Sequence, residues 1–259
     1  MTPVQAVTLG IVEGLTEFLP ISSTAHLIFA SRFMKITASQ EFLTFFEVFI
    51  QSGAILAVFF LYFKLVCRQR NYLVNVVISF FPTAVIGFFL HDVIKKVLFQ
   101  SEQTIIFSLF FGAIVFIVTE FLVIKKWLIL SKRINQLGPK EAFLIGFIQS
   151  LAVIPGVSRA GAVIITMMVL RYNRKDAAIY SFLLAIPTII AASFFDLLKT
   201  PKVIIFNHDY QLLILFGLLG AFLSAYIVVN LFIKYLQSHT LVPFAAYRII
   251  LAATLILSL

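Results

Sequence analysis

Long, almost uncharged apolar stretches recur along this chain. Several reach about 18 residues or more, the length a helix needs to cross roughly 30 Å of hydrocarbon. Six full spans are predicted, at residues 42–61, 76–92, 104–124, 177–198, 212–233 and 241–257. Two further apolar regions are interrupted by polar, proline-bearing tips: GIVEGLTEFLPISSTAHLIFA at 10–30 and GFIQSLAVIPGVSRAGAVIITMMVL at 146–170. Proline removes a donor and clashes with the preceding turn, and the Ser and Thr that follow are helix amino-cap residues. Each region therefore reads as a helix, a break at Pro20 or Pro155, and a new helix starting near Ser23 or Ser158. Neither short arm can cross the bilayer alone, so two re-entrant hairpins are expected.

The two broken regions align with one gap: Gly10 with Gly146, Glu13 with Gln149, Leu15 with Leu151, Pro20 with Pro155, Ser23 with Ser158 and Ala25 with Ala160. The offset is about half the chain. Each hairpin precedes three full spans, an odd number, so the second copy enters from the opposite face, as inverted repeats do. The predicted fold is an all-α integral membrane protein. One domain, 1–259, is built from halves of about 1–135 and 136–259, with six transmembrane helices and two re-entrant hairpins meeting near the midplane.

Composition agrees. Of 259 residues, 61% are hydrophobic and 12% charged, and mean hydropathy is +1.07, where soluble domains carry about 25% charged residues. The first apolar run has no basic leader and contains Glu13 and Glu17, unlike a cleaved targeting peptide. The lone Cys67 has no CxxC or CxxH companion, which argues against disulfide and zinc chemistry and leaves it a small buried residue.

A net charge of +9 would suit a nucleic-acid binder, but no compact basic or aromatic-basic surface is present, and topology accounts for the charge better. Twelve basic residues fall on one side of the predicted spans: Lys64, Arg68, Arg70, Lys125, Lys126, Lys132, Arg133, Lys140, Arg171, Arg174, Lys175 and Lys234. Six fall on the other: Arg32, Lys35, Lys95, Lys96, Lys199 and Lys202. The richer side is assigned to the cytoplasm, which puts both termini outside. Arg159 and Arg248 stand apart, inside apolar sequence.

Both tips begin helices, so two amino termini with unpaired N–H groups point at one place, an anion site. Arg159 adds a planar donor suited to phosphate, and Arg248 in PFAAYRI is a candidate second. Glu13 and Glu17, four residues apart, share a helix face leading to Ser22, Ser23, Thr24 and His26. Carboxylates beside an anion site need a divalent cation or a proton, and either role belongs to phosphoryl transfer. A lipid phosphate or diphosphate is the natural substrate, its tail remaining in the bilayer. Charges inside a membrane are functional by default because they are costly there. Ser22 and Thr24 also suit simple capping, and Arg248 could equally be paired structurally. A transporter carrying a lipid phosphate through the same site is the competing class.

EGLTEFLPISSTAHL and PGVSRAG resemble the two signature regions of bacterial undecaprenyl-diphosphate phosphatases of the BacA/UppP type. FEVFIQSGAILAV, YSFLLAIP and PFAAYR extend the likeness, in order, over essentially the whole chain. The resemblance implies a multi-pass enzyme of the bacterial inner (plasma) membrane. It would remove the terminal phosphate of undecaprenyl diphosphate, recycling the carrier for peptidoglycan and other wall polymers, with links to bacitracin resistance and a need for Mg or Ca. It implies a catalytic set of Glu13, Glu17, Ser23, His26 and Arg159. Substrate contacts would come from Ser22, Thr24, Ser158, Gly156, Gly161 and Arg248, with Glu13 and Glu17 as metal ligands. Ser23 activated by His26 is the expected nucleophile, and direct attack by His26 the alternative. Ala25 replaces a common glycine, and Ala160 and Val163 replace frequent hydroxyl residues, which removes any essential role for hydroxyls at 160 and 163. Oligomeric state has no sequence signature.

Overall fold

The computed structural model describes residues 1–68, 70–93 and 101–257. Arg68, Arg70, Cys67, His91 and Asp92 lie outside the residues whose side chains are described, and Lys95 and Lys96 outside the described residues altogether. The described chain is helical: α1 (Pro3–Thr16), α2 (Ser23–Phe33), α3 (Gln40–Arg68), α4 (Arg70–Val93), α5 (Glu102–Ile124), α6 (Pro139–Gln149), α7 (Arg159–Val169), α8 (Arg174–Lys199), α9 (Lys202–Ile205), α10 (His208–Tyr235) and α11 (Val242–Leu257). Local chemistry sets the starts. Thr2 and Gln5 form a reciprocal capping box ahead of Pro3. Asn173 and Asn207 cap α8 and α10 by accepting the amides of Asp176 and Tyr210.

Among the described residues, five helices are long and apolar enough to cross a membrane: α3, α4, α5, α8 and α10. The sixth predicted span is α11, whose 16 residues reach about 24 Å at about 1.5 Å per residue. Phe81, Phe88, Phe89, Phe107 and Phe111 turn outward, as expected where the surrounding solvent is lipid. Small residues let helices approach closely. A Cβ on Gly10 would overlap the Gly217 carbonyl of α10, and one on Gly146 would overlap the Ser79 carbonyl of α4.

Helices pair in a regular way. α1 lies along α10 and α6 along α4, α3 packs on α10 and α8 on α4, while α3 meets α8 and α5 meets α11. Away from the tips, Glu120 of α5 is fully buried. It takes both ends of the Arg174 guanidinium and the Leu241 amide, tying α5 to the starts of α8 and α11.

Candidate active site

Both breaks lie where the sequence put them. Helix α1 ends at Thr16, residues 17–22 form a turn, and α2 begins at Ser23. Ser22 sits in the left-handed region, with φ of 71°, and gives α2 no side-chain cap. The amides of the first turn of α2 therefore keep no side-chain acceptor. In the second break a short 3-10 turn, Ser150–Val153, leads to Gly156, with φ of 88°, and to Ser158. The Ser158 hydroxyl caps α7 by accepting the Gly161 amide at 3.1 Å.

The tips meet. Ser23 Oγ donates to Glu17 Oε2 at 2.5 Å, and Arg159 Nη2 of the other tip donates to Glu17 Oε1 at 3.1 Å. Ser158 Oγ reaches the Leu19 carbonyl at 3.5 Å, and the Arg159 guanidinium lies over the Phe18 ring. One buried carboxylate thus accepts a serine hydroxyl on one oxygen and a permanent cation on the other, a charge-assisted arrangement.

His26 is placed differently from the sequence expectation. Its Nδ1 is 2.7 Å from the Ser22 carbonyl, and its Nε2 is 2.8 Å from the Tyr247 hydroxyl, whose ring stacks on it. A carbonyl only accepts, so Nδ1 carries the proton and Nε2 receives the Tyr247 hydroxyl. Neither nitrogen faces Ser23. The carboxylate of Glu17, not the imidazole, accepts the hydrogen bond of that hydroxyl. Thr24 is partly buried beside it on α2. Arg248, expected as a phosphate ligand, is 1% exposed and directs its guanidinium to backbone carbonyls, among them those of Pro20 and Gly156. The Gly161 amide is committed to Ser158.

Unsatisfied groups remain at the center. Both carboxylate oxygens of Glu13, which is fully buried, and the Nε and Nη1 atoms of Arg159 have no hydrogen-bond partner among the described residues. Buried polar atoms are rarely left so. Acceptor-only oxygens suit a hard cation and free guanidinium donors suit phosphate oxygens. Glu13 and Glu17 thus fit the expected metal. Among the described residues no three His, Cys, Asp or Glu side chains form a ready cage, so phosphate oxygens and water would complete the shell.

Two residues at the site escaped the sequence reading. Tyr247 stands beside Arg248 in PFAAYR, and Glu47 of α3 is a like-charge neighbour of Glu13. Glu47 carried the usable signal, a carboxylate within an apolar span, which is the criterion that marked Glu13.

The family described as "Bacitracin resistance protein BacA" matches residues 6–254. The Undecaprenyl-diphosphatase of Aquifex aeolicus (strain VF5) is 43% identical over 251 residues, covering 97% of this chain and 96% of the relative. That of Sulfurihydrogenibium sp. (strain YO3AOP1) is 43% identical over 252 residues, 97% of each chain. A Campylobacter hominis protein of the same name is 40% identical over 255 residues, again 97% of each. With relatives this similar along nearly its whole length, the chain belongs to the bacitracin resistance protein BacA family.

Proposed function

We propose that this protein hydrolyses undecaprenyl diphosphate to undecaprenyl phosphate and inorganic phosphate, returning the lipid carrier to cell-wall synthesis. Family membership and the shared name of its relatives support the reaction. The observation that carries the mechanism is the Ser23–Glu17–Arg159 chain across the two tips. Arg159, through the donors left free beside Glu17, and the open amides of α2 take the oxygens of the terminal phosphate. Ser23 Oγ attacks the terminal phosphorus while its proton passes to Glu17, and the bond to the bridging oxygen breaks. Glu17 returns that proton to the departing lipid phosphate. It then takes one from water and delivers it to Ser23 as the phosphoserine is hydrolysed. A divalent cation held by Glu13 and Glu17 would neutralise charge on the phosphate oxygens. Moving an anion without chemistry would not require a hydroxyl seated on a carboxylate, which disfavours a simple carrier.

The inverted repeat belongs to this reading too. Exchanging α1 with α6, α2 with α7, α3 with α8, α4 with α10 and α5 with α11 turns the α1–α10 pairing into α6–α4, and α10–α3 into α4–α8. The α3–α8 and α5–α11 pairings map onto themselves. Two re-entrant hairpins and six crossings are the arrangement we infer for this pairing, and the excess of basic residues in the loops of one side supports both termini lying on the outer side. Membrane-impermeant labelling of single cysteines placed at Thr2 and in the 125–133 loop, in intact cells, would contradict it if both were labelled alike.

The enzymatic test is phosphate release from a C55 diphosphate by purified protein in detergent, with Mg or Ca varied. Wild type should turn over, and Ser23→Ala should lose at least about 10³-fold in kcat with KM little changed. A wild type inactive under every metal condition would overturn the reading.

A further inference from the structure

Arg248 is the largest fully buried side chain in the described protein, and its environment is unlike that of a ligand-binding arginine. Its Nε donates to the Leu109 carbonyl at 3.2 Å and its Nη2 to the Ser108 carbonyl at 2.9 Å, both on α5. Its Nη1 donates to the Pro20 carbonyl at 3.3 Å in the first tip, and its Nη2 also to the Gly156 carbonyl at 3.1 Å in the second. A guanidinium has five N–H donors, and four point at protein carbonyls. Little remains for a phosphate.

Each of those carbonyls is available for a local reason. Pro20 and Gly156 lie in the breaks, where helix bonding lapses and carbonyls lack amide partners. Gly156 adopts φ of 88°, and a Cβ there would overlap the Ile105 carbonyl of α5. Only glycine turns the chain at this point while staying against α5. On α5 itself, Gly112 stands one turn beyond Ser108, and a Cβ on it would overlap the guanidinium. The glycine opens the space into which Arg248 reaches, and Phe116 closes it, with its ring 5.5 Å from the guanidinium carbon.

We infer that Arg248 is a positioning residue that pins the first tip to the second and both to α5, so that Ser23 and Arg159 are held face to face on Glu17. The inference rests on the hydrolytic reading of that site. The two reacting tips come from separate hairpins, and the contacts crossing between them near the chemistry are Ser158 to Leu19, the Glu17–Arg159 pair and the ring contact with Phe18. A phosphate on the free donors of Arg159 shares that guanidinium with Glu17 and so weakens the pair. Arg248 grips backbone on both sides and does not depend on that pair. Lysine cannot replace it, because one ammonium cannot span carbonyls arriving from three elements.

The test compares wild type, Arg248→Lys and Gly112→Ala, each purified in detergent, by kcat, KM and competitive inhibition by inorganic phosphate. Misplacing reacting groups by about 1 Å costs on the order of 10²-fold in rate. Arg248→Lys should lose about that much kcat, with KM and the phosphate inhibition constant within about threefold of wild type. Gly112→Ala keeps the arginine but displaces its guanidinium, so it should shift kcat in the same direction by less. It also carries the test alone if Arg248→Lys does not fold. A raised KM and weakened phosphate inhibition at unchanged kcat would make Arg248 a phosphate ligand and overturn the inference. Wild-type kcat in both variants would overturn it as well. Failure of wild type to release phosphate is a separate result, which sinks the hydrolytic reading.

Discussion

Replacing Glu17 with glutamine removes one charge with two separable consequences. The carboxylate is 8% exposed and its partner Arg159 is 11% exposed, so the ion pair is buried. Breaking such a pair by removing one member costs about 3–5 kcal/mol. Arg159 keeps some solvent exposure and lies over the Phe18 ring, which places the cost near the lower end, about 3 kcal/mol. At roughly 2–4 °C per kcal/mol for a chain of this size, the melting midpoint in detergent should fall by about 6–12 °C. The same substitution leaves the Ser23 hydroxyl without a base, a loss of about 10²–10⁴ in kcat. Adding Arg159→Met removes the orphaned cation, so the double variant should recover part of the lost stability while staying inactive. Thermal unfolding and phosphate release, run on wild type, both single variants and the double, read the two effects independently. Glu17→Gln within about tenfold of wild-type kcat would show that Glu17 is not the base. Strictly additive stability losses would show that the pair contributes no coupling.

Three further outcomes follow. Gly10→Ala and Gly146→Ala should each destabilise by about 1–3 kcal/mol through overlap with facing backbone, while Gly87→Ala, with nothing within 4 Å, should melt like wild type. Tyr247→Phe deprives His26 Nε2 of its partner, a bond worth about 0.5–1.5 kcal/mol. It should lower kcat/KM by about two- to tenfold, and an unchanged value would mean that this bond does not matter to turnover. Partial burial alone would raise the Glu141 carboxyl, but hydrogen bonds from Lys132 and Tyr172 outweigh it and hold the group below the usual carboxylate range. Its stabilisation is therefore present at neutral pH and lost as pH falls through that lowered value. The melting-midpoint gap between wild type and Glu141→Gln should shrink on acidification, and a gap that widens would reverse the sign of the linkage.

Much of the frame was legible because its signals are local. Proline followed by serine marks both breaks, and the Gly10–Gly146 correspondence marks two close helix crossings. The predicted spans 177–198 and 212–233 stop short of Arg174, Lys175 and His208, polar residues that hydrophobicity alone leaves outside a span. The helices run through them to asparagine caps at 173 and 207. At the site, Ser23 and His26 are three residues apart and invite pairing, yet the imidazole is drawn to Tyr247 on α11, 221 residues away. The Arg248 contacts were invisible for another reason. Its partners are backbone carbonyls, which every residue has and no sequence pattern announces.

The position opposite Glu13 in the aligned halves is Gln149, which is buried and donates its amide to the hydroxyl oxygens of Thr83 and Thr188 at 2.9 and 3.3 Å. Those hydroxyls have already given their hydrogens to the carbonyls of Gly146 and Leu184, so they offer Gln149 only lone pairs. A carboxylate at 149 would meet lone pairs from both sides. Accommodating an acid at 149 would therefore require the threonines to turn as well. This small cradle of hydroxyl groups is matched to an amide at 149, and an acid placed there by a single substitution would meet no donor.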